Sequence, residues 1–239
     1  MQAVIVAGGL AVRMRPRSLG TPKFLLPVAG RPFASWVLDR LRESGYTDVV
    51  LCVAHLGHQI RAFVGDGRAF GLSVRYEDEG TNLLGTAGAV RNAMAHLEPT
   101  FLVTYGDSYL PFDYAGPLRD LDAHADADGV MAVFRNEGRW DASNAQIRRD
   151  AAGDCWVARY QKGSKDPALD HIDYGATALR RDVIEQIPQG AVFGLDRIQA
   201  DLAAKGLLRA HVARERFFEI GTEQGLSDLE RMLSKEDTT

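Results

Sequence analysis

The sequence is short of several things, and each shortage excludes a class of protein. It has two cysteines, Cys52 and Cys155, far apart and without a CxxC pair. That excludes a disulfide framework and a thiolate metal knuckle, and predicts two reduced, buried thiols in a reducing cytosol. Its six histidines show no metal-ligand spacing and are assigned no catalytic role. No apolar run approaches the length of a membrane span, and the apolar opening is too short for a signal peptide and lacks a basic leader. A cytoplasmic protein without a membrane partner is expected. Basic excess is missing too: 28 Lys and Arg stand against 32 Asp and Glu, the net charge is −4, and nucleic acid is not an expected partner. Internal repeats and low-complexity linkers are absent.

One local shortage runs the other way. The first acid in the chain is Asp39, while Arg13, Arg15, Arg17, Lys23 and Arg31 all fall within residues 1–31. This cation cluster follows an apolar β-branched run, Val4-Ile5-Val6, and the pair Gly8-Gly9. A strand, a glycine turn and clustered cations suit a polyphosphate held against backbone N–H groups. No Gly-Lys-Ser/Thr follows, so this is not a P-loop, and the glycine spacing of the dinucleotide fingerprint is missing.

The 239 residues, 46% hydrophobic and 25% charged, suit a single domain with a sizeable core. Apolar periodicity predicts a helix from Pro32 to Leu41 closed by Gly45, a strand over 48–53, a short helix over 58–64 and a strand over 72–76. A helix over 85–97, a strand over 100–104, a helix over 113–125 containing Pro117 and a strand over 129–134 follow. Short strands then come at 145–147, 156–158 and 172–179. The remainder reads as helix at 183–184 and 193–204, strands at 207–212 and 217–220, and a helix over 222–233 capped by Thr222, in which Gly225 is a weak point. Alternating strands and helices imply an α/β fold with a largely parallel sheet and ligands at the strands' carboxyl ends. Residues 1–134 are expected to form one half of the domain, about 135–180 a small substrate lobe, and 181–239 closing helices and strands.

The ordered pieces resemble the sugar-1-phosphate nucleotidyltransferase family. These are Ala7-Gly8-Gly9, Arg13, Arg15-Pro16, Pro22-Lys23, Gly85-Thr86-Ala87-Gly88, Gly106-Asp107, Gln161-Lys162 and Phe218-Glu219-Ile220-Gly221-Thr222. The resemblance implies a Rossmann-like, GT-A-like sheet flanked by helices, and transfer of a nucleoside monophosphate from an NTP to a sugar 1-phosphate. It implies that Ala7, Gly8, Gly9, Arg13, Gly85, Thr86 and Gly88 bind the nucleotide, and that Arg13, Lys23 and Asp107 are catalytic. Asn144, Gln161, Lys162, Tyr174 and Gly175 are implied to hold the sugar phosphate, and Asp107 and Glu219 a Mg²⁺ ion. The reacting oxygen is already an anion, so positioning and charge stabilisation suffice.

Three positions depart from the family pattern: Ala11-Val12 precedes the arginine, Gln161 replaces Glu, and Glu219 replaces Asp. Tyr105 to Leu110, Asp173-Tyr174-Gly175 and the 218–221 element look most like the heptose-1-phosphate guanylyltransferase branch, with GTP as donor. Uridylyl or thymidylyl transfer to a hexose or amino-sugar phosphate is the alternative within enzymes. A non-catalytic nucleotide-sugar sensor is the alternative outside them. A related glycosyltransferase would use Asp126-Ala127-Asp128 on a metal, but that triplet reads as a solvated turn. A monomer or a homodimer is expected.

Overall fold

The computed structural model describes residues 1–9 and 20–236. In chain order the elements are β1 (Gln2–Val6), β2 (Pro27–Val28), β3 (Arg31–Pro32), α1 (Phe33–Glu43), β4 (Asp48–Val53), α2 (Gly57–Val64) and β5 (Ser73–Asp78). Then come α3 (Gly85–Asn92), β6 (Thr100–Tyr105), β7 (Ser108–Tyr109), α4 (Ala115–Ala123), β8 (Gly129–Arg135), β9 (Ala145–Arg149) and β10 (Cys155–Tyr160). The last are β11 (His171–Arg180), α5 (Arg181–Glu185), α6 (Leu195–Lys205), β12 (Leu208–Ala213), β13 (Phe218–Glu219) and α7 (Glu223–Glu236).

A nine-stranded sheet runs in the order β5-β4-β1-β6-β11-β8-β12-β10-β9. β5, β4, β1 and β6 are mutually parallel, as are β8 and β12; β11 and β10 run against their neighbours. Seven of the nine strands therefore point one way. The expected small strands β9, β10 and β11 join this same sheet.

Alternation along the strands explains the layers. Ala3, Ile5, Val49, Leu51 and Val53 face one apolar cluster with α1, α2, α4 and α7. Val4, Val50, Cys52, Phe101 and Val103 face a second with α3, α5 and α6. Strands apolar on both faces are what a sheet covered by helices on both sides requires. In α1, Phe33, Ala34, Val37, Leu38 and Leu41 are buried at helical spacing, and Gly45, with φ +84°, closes it.

Several expectations are refined. The 85–97 helix ends at Asn92, and a separate 3₁₀ turn over Met94–His96 redirects the chain into β6. Pro117 sits in the first turn of α4, where its missing N–H costs nothing. Thr222 does cap α7, its Oγ1 accepting from the Gly225 N–H at 3.0 Å. Gly225 is no weak point, because a Cβ there would overlap the Glu219 carbonyl oxygen. Both thiols are free, but only Cys52 is fully buried; Cys155 is half-buried on β10.

From β1 the chain moves outward through β4 to β5, then returns to place β6 on β1's other side. The carboxyl ends of β1 and β6 thus flank the switch point, where α/β sheets leave a crevice for ligands.

Candidate active site

The crevice is a cleft of about 260 Å³ lined by Ala7, Gly8, Gly9, Lys23, Glu79, Leu83, Gly85, Thr86, Tyr105, Gly106 and Asp107, among others. One wall is the end of β1. The Ala7 N–H donates to the Cys52 carbonyl at 2.9 Å, holding the turn in line with the sheet. A Cβ on Gly8 would press on Ala54 and on the Glu79 carboxylate, both at 3.2 Å, whereas the same position on Gly9 meets nothing within 4 Å. Gly9 therefore offers its backbone to the open cleft.

The facing wall is Tyr105-Gly106-Asp107. The Gly106 N–H donates to the Val6 carbonyl at 2.9 Å, and a Cβ there would lie 2.9 Å from that of Ala7. Glycine at 106 is what lets the β6 end close onto the β1 turn.

The floor carries the charges. Lys23, in a 3₁₀ turn anchored by the buried Phe24, places its Nζ 2.9 Å from Asp107 Oδ2. Glu219 arrives from more than a hundred residues away. β13 pairs antiparallel with β7, setting Glu219 opposite Ser108, and the Ile220 N–H donates to the Asp107 carbonyl at 2.9 Å. The Glu219 carboxyl is pushed up to about 7, first by desolvation and then by the Asp107 and Asp141 carboxylates, with Lys23 pulling against them. The residue as a whole stays exposed to solvent, and the crowding falls on its protein side. Two carboxylates in mutual repulsion form a hard-oxygen pair that suits a hard divalent cation. Among the described residues no three His, Cys, Asp or Glu gather into a metal cluster, so this pair stands without a third protein ligand of that kind.

At the cleft's far end, β5 leads into Glu79 and then α3. Glu79 Oε1 accepts from the Leu84 N–H at 2.9 Å, and burial raises this carboxyl above its ordinary range. Gly85, with φ +74°, and Gly88 lie against the backbone of Ala191–Phe193, where any side chain would collide. The Ala87 and Gly88 N–H groups both donate to the Phe193 carbonyl at 3.0 Å. Gly88 thus faces this packing rather than the cleft. Thr86 lines the cleft, yet its Oγ1 accepts from the Leu195 N–H at 2.7 Å and so caps α6.

The residues implied for the sugar phosphate meet on the other side of Tyr105. Asn144 Oδ1 accepts from the Asp173 N–H at 2.8 Å, and the Gln161 N–H donates to the Asn144 carbonyl at 2.8 Å. Lys162 lies close enough to act on the Asp173 carboxyl, and the Gly175 N–H donates to Asp173 Oδ1 at 3.0 Å. Tyr174 is the exception. Its ring is 1% exposed and packs in an aromatic group with Phe112, Phe134 and Phe217, on the opposite face of β11.

Arg13, with Arg15 and Arg17, lies outside the described residues. Asp126-Ala127-Asp128 precedes β8, at the amino ends of the parallel strands and away from the cleft. Glu79 was not singled out by the sequence: it is the last of three consecutive acids, Glu77-Asp78-Glu79, and only the fold brings it to the cleft.

Curated proteins are similar to this chain in sequence. A mannose-1-phosphate guanylyltransferase of Mycobacterium tuberculosis is 32% identical over 199 residues, 82% of this chain and 54% of that protein. An N-acetylmuramate alpha-1-phosphate uridylyltransferase of Neisseria meningitidis serogroup B is 43% identical over 121 residues, 50% of this chain and 52% of that protein. The chain spans about half the length of the curated relatives it matches. Among solved structures, a putative glucose-1-phosphate thymidylyltransferase from Bacillus anthracis in complex with a sucrose superposes with a TM-score of 0.82 at 19% identity, covering 97% of this chain and 94% of that one. Residues 3–213 match the MobA-like NTP transferase domain, and the chain belongs to that family.

Proposed function

We propose that the protein transfers a nucleoside monophosphate from an NTP to a sugar 1-phosphate and releases pyrophosphate. The observation that carries this reading is the convergence of Glu219 on the Lys23–Asp107 pair, which lines a glycine-walled cleft at the sheet's switch point. A sugar phosphate oxygen attacks the α-phosphorus, so the site needs fixed charge and orientation rather than a nucleophilic side chain. The Lys23 ammonium neutralises charge on the reacting phosphates. The backbone of Gly8 and Gly9 lets the triphosphate approach, and Arg13 takes the leaving pyrophosphate. Asp107 and Glu219 would hold Mg²⁺, which supplies charge neutralisation at the α-phosphate when bound. The pairing of β7 with β13 and the packing of Gly225 keep the two carboxylates together. Asn144, Gln161, Lys162 and Gly175, from residues 135–180, form the sugar-phosphate side.

Glu79 supports GTP as the donor. Its carboxylate lies beside Gly8 at the base end of the cleft, with Leu83 and Gly85 around it. Guanine presents two adjacent donors, N1–H and N2–H, which a carboxylate accepts together. Uracil presents one N–H flanked by carbonyls, which a carboxylate repels. The relative named as a mannose-1-phosphate guanylyltransferase, matched along 82% of this chain, supports the same donor. The acceptor is a manno-configured sugar 1-phosphate, with D-glycero-D-manno-heptose 1-phosphate first.

The test is pyrophosphate release with five triphosphates at equal concentration against a panel of sugar 1-phosphates. GTP should lead. Preference for UTP or dTTP would overturn the base assignment alone, and binding of nucleotide sugar without any pyrophosphate release would make the protein a sensor.

A further inference from the structure

Glu219 stands on a strand of two residues, Phe218–Glu219, which pairs with β7 at two positions only. So short a ladder leaves the strand's rotation about its own axis to other contacts. Successive side chains of a strand point to opposite sides, so whatever grips Phe218 also sets the direction of Glu219. Phe218 is buried, and the group that grips it is Arg216. The Arg216 guanidinium lies over the Phe218 ring, 4.4 Å from its centroid, and over the Trp140 ring at 3.7 Å. Its Nε donates to the Phe217 carbonyl at 3.3 Å, and its Nη2 donates to Asp228 Oδ2 of α7 at 3.2 Å. One side chain thus joins the approach to β13, helix α7 and the loop after β8.

Trp140 belongs to that loop and is 49% exposed. The loop is built around one buried side chain. Asn136 Nδ2 donates to the Asp141 carbonyl at 2.6 Å and to Ser143 Oγ at 3.1 Å, and its Oδ1 accepts from the Trp140 N–H at 3.2 Å. The indole is therefore a fixed platform, and tryptophan is the ring that holds a guanidinium best. The next residue, Asp141, acts on the Glu219 carboxyl as a like charge. The Arg216 stack spans the two segments that carry these carboxylates and holds them together against their repulsion.

An ion pair with Asp228 would serve a lysine equally well. What calls for arginine is the planar face, which lies on two rings while its edge donates to a carboxylate and a carbonyl.

We infer that Arg216 is a positioning residue for Glu219, and that Arg216, Trp140 and Phe218 form a clasp that closes the 136–143 loop onto β13 and fixes the direction of the Glu219 carboxylate. This rests on the transferase reading given above, in which Asp107 and Glu219 hold the divalent ion. The clasp acts through Glu219 rather than on either substrate.

The experiment uses the full chain. Mn²⁺ binding is followed by electron paramagnetic resonance without nucleotide, and turnover by Mg²⁺-dependent pyrophosphate release with the best NTP and sugar 1-phosphate of the panel above. Arg216→Lys keeps the charge and loses the planar face, and Trp140→Ala removes the platform from an exposed position. Each should weaken Mn²⁺ binding about tenfold and lower kcat by a similar factor, with the sugar-phosphate KM changed by less than about twofold. Trp140→Phe keeps a ring face and should stay within about twofold of wild type in Mn²⁺ affinity. A lowered Tm in Arg216→Lys and Trp140→Ala with Mn²⁺ affinity unchanged overturns the proposal and leaves Arg216 as packing. A rise in sugar KM equal to the loss of Mn²⁺ affinity also overturns it, because the damage would then not be confined to Glu219. If Arg216→Lys fails to fold, Trp140→Ala decides alone: unchanged Mn²⁺ affinity overturns the proposal. A wild type that binds Mn²⁺ but releases no pyrophosphate with any pair refutes the transferase reading, and the Mn²⁺ titrations of the variants still decide the clasp. A wild type that binds no Mn²⁺ refutes the metal assignment and this inference with it.

Discussion

Replacing Glu219 with Gln should make the protein more stable, and only at neutral and higher pH. In the folded chain this carboxyl holds its proton up to about 7, against an ordinary value of 4.5. Desolvation and the neighbouring Asp107 and Asp141 carboxylates are the causes. The sign follows by linkage. Between pH 4.5 and about 7 the unfolded chain releases this proton and the folded chain keeps it, so folding stability falls as pH rises through that window and then levels off. For a sealed group that span would correspond to roughly 3 kcal/mol. Glu219 is exposed, so solvent screening leaves about 1 kcal/mol. In a domain of this size that is about 2–4 °C in Tm. Glu219→Gln and wild type should therefore melt together near pH 4, and the variant should melt higher at pH 8. Millimolar Mg²⁺ should raise the wild-type Tm at pH 8 and leave the variant nearly unmoved. Equal melting of the two proteins at both pH values would refute the proposed crowding of carboxylates.

Other perturbations separate positioning from packing. Gly225→Ala pushes a methyl group into the Glu219 carbonyl, and should weaken Mg²⁺ dependence and lower kcat at least tenfold; unchanged Mg²⁺ titrations would show that α7 does not position Glu219. Thr86→Val removes the acceptor for the Leu195 N–H and should cost about 1 kcal/mol, read as a lowered Tm. Its KM for nucleotide should change less than twofold, and a large nucleotide effect would return Thr86 to the binding set. Glu79→Gln should narrow the GTP-to-UTP preference by tenfold or more in kcat/KM, since an amide can both donate and accept; an unchanged ratio would remove Glu79 from base selection.

Much of the frame was legible because the strands carry their instructions locally. Val4 to Val6, Asp48 to Val53 and Thr100 to Thr104 are apolar on both faces, which only a doubly covered sheet accommodates. The motif order placed Lys23, Asp107 and Glu219 on one site, and the fold brings these three together. What was not legible depends on contacts across the chain. Gly225 reads as a helix defect until the Glu219 carbonyl is seen against it. Tyr174 and Asp173 are adjacent in sequence, but strand alternation sends the ring into an aromatic core and the carboxylate to the opposite face, where Gln199 of α6 holds it. Thr86 lines the cleft, but that its hydroxyl also caps α6 shows only once the Leu195 N–H, more than a hundred residues later, is seen against it. Glu79 carries no local signal because its partner, Gly8, is fixed by β1 rather than by its own neighbours.

The central claim is that Lys23, Asp107 and Glu219 form the centre of a nucleotidyl transfer site. The most direct measurement is coupled detection of pyrophosphate and nucleotide sugar from GTP and a sugar 1-phosphate, in wild type, Lys23→Ala and Asp107→Asn, each verified folded by its Tm. Wild type should release the two products in equal amounts and only with divalent metal, and each variant should lose about 10²–10³ in kcat. Near-normal turnover in both folded variants, or full wild-type activity in EDTA, would contradict it.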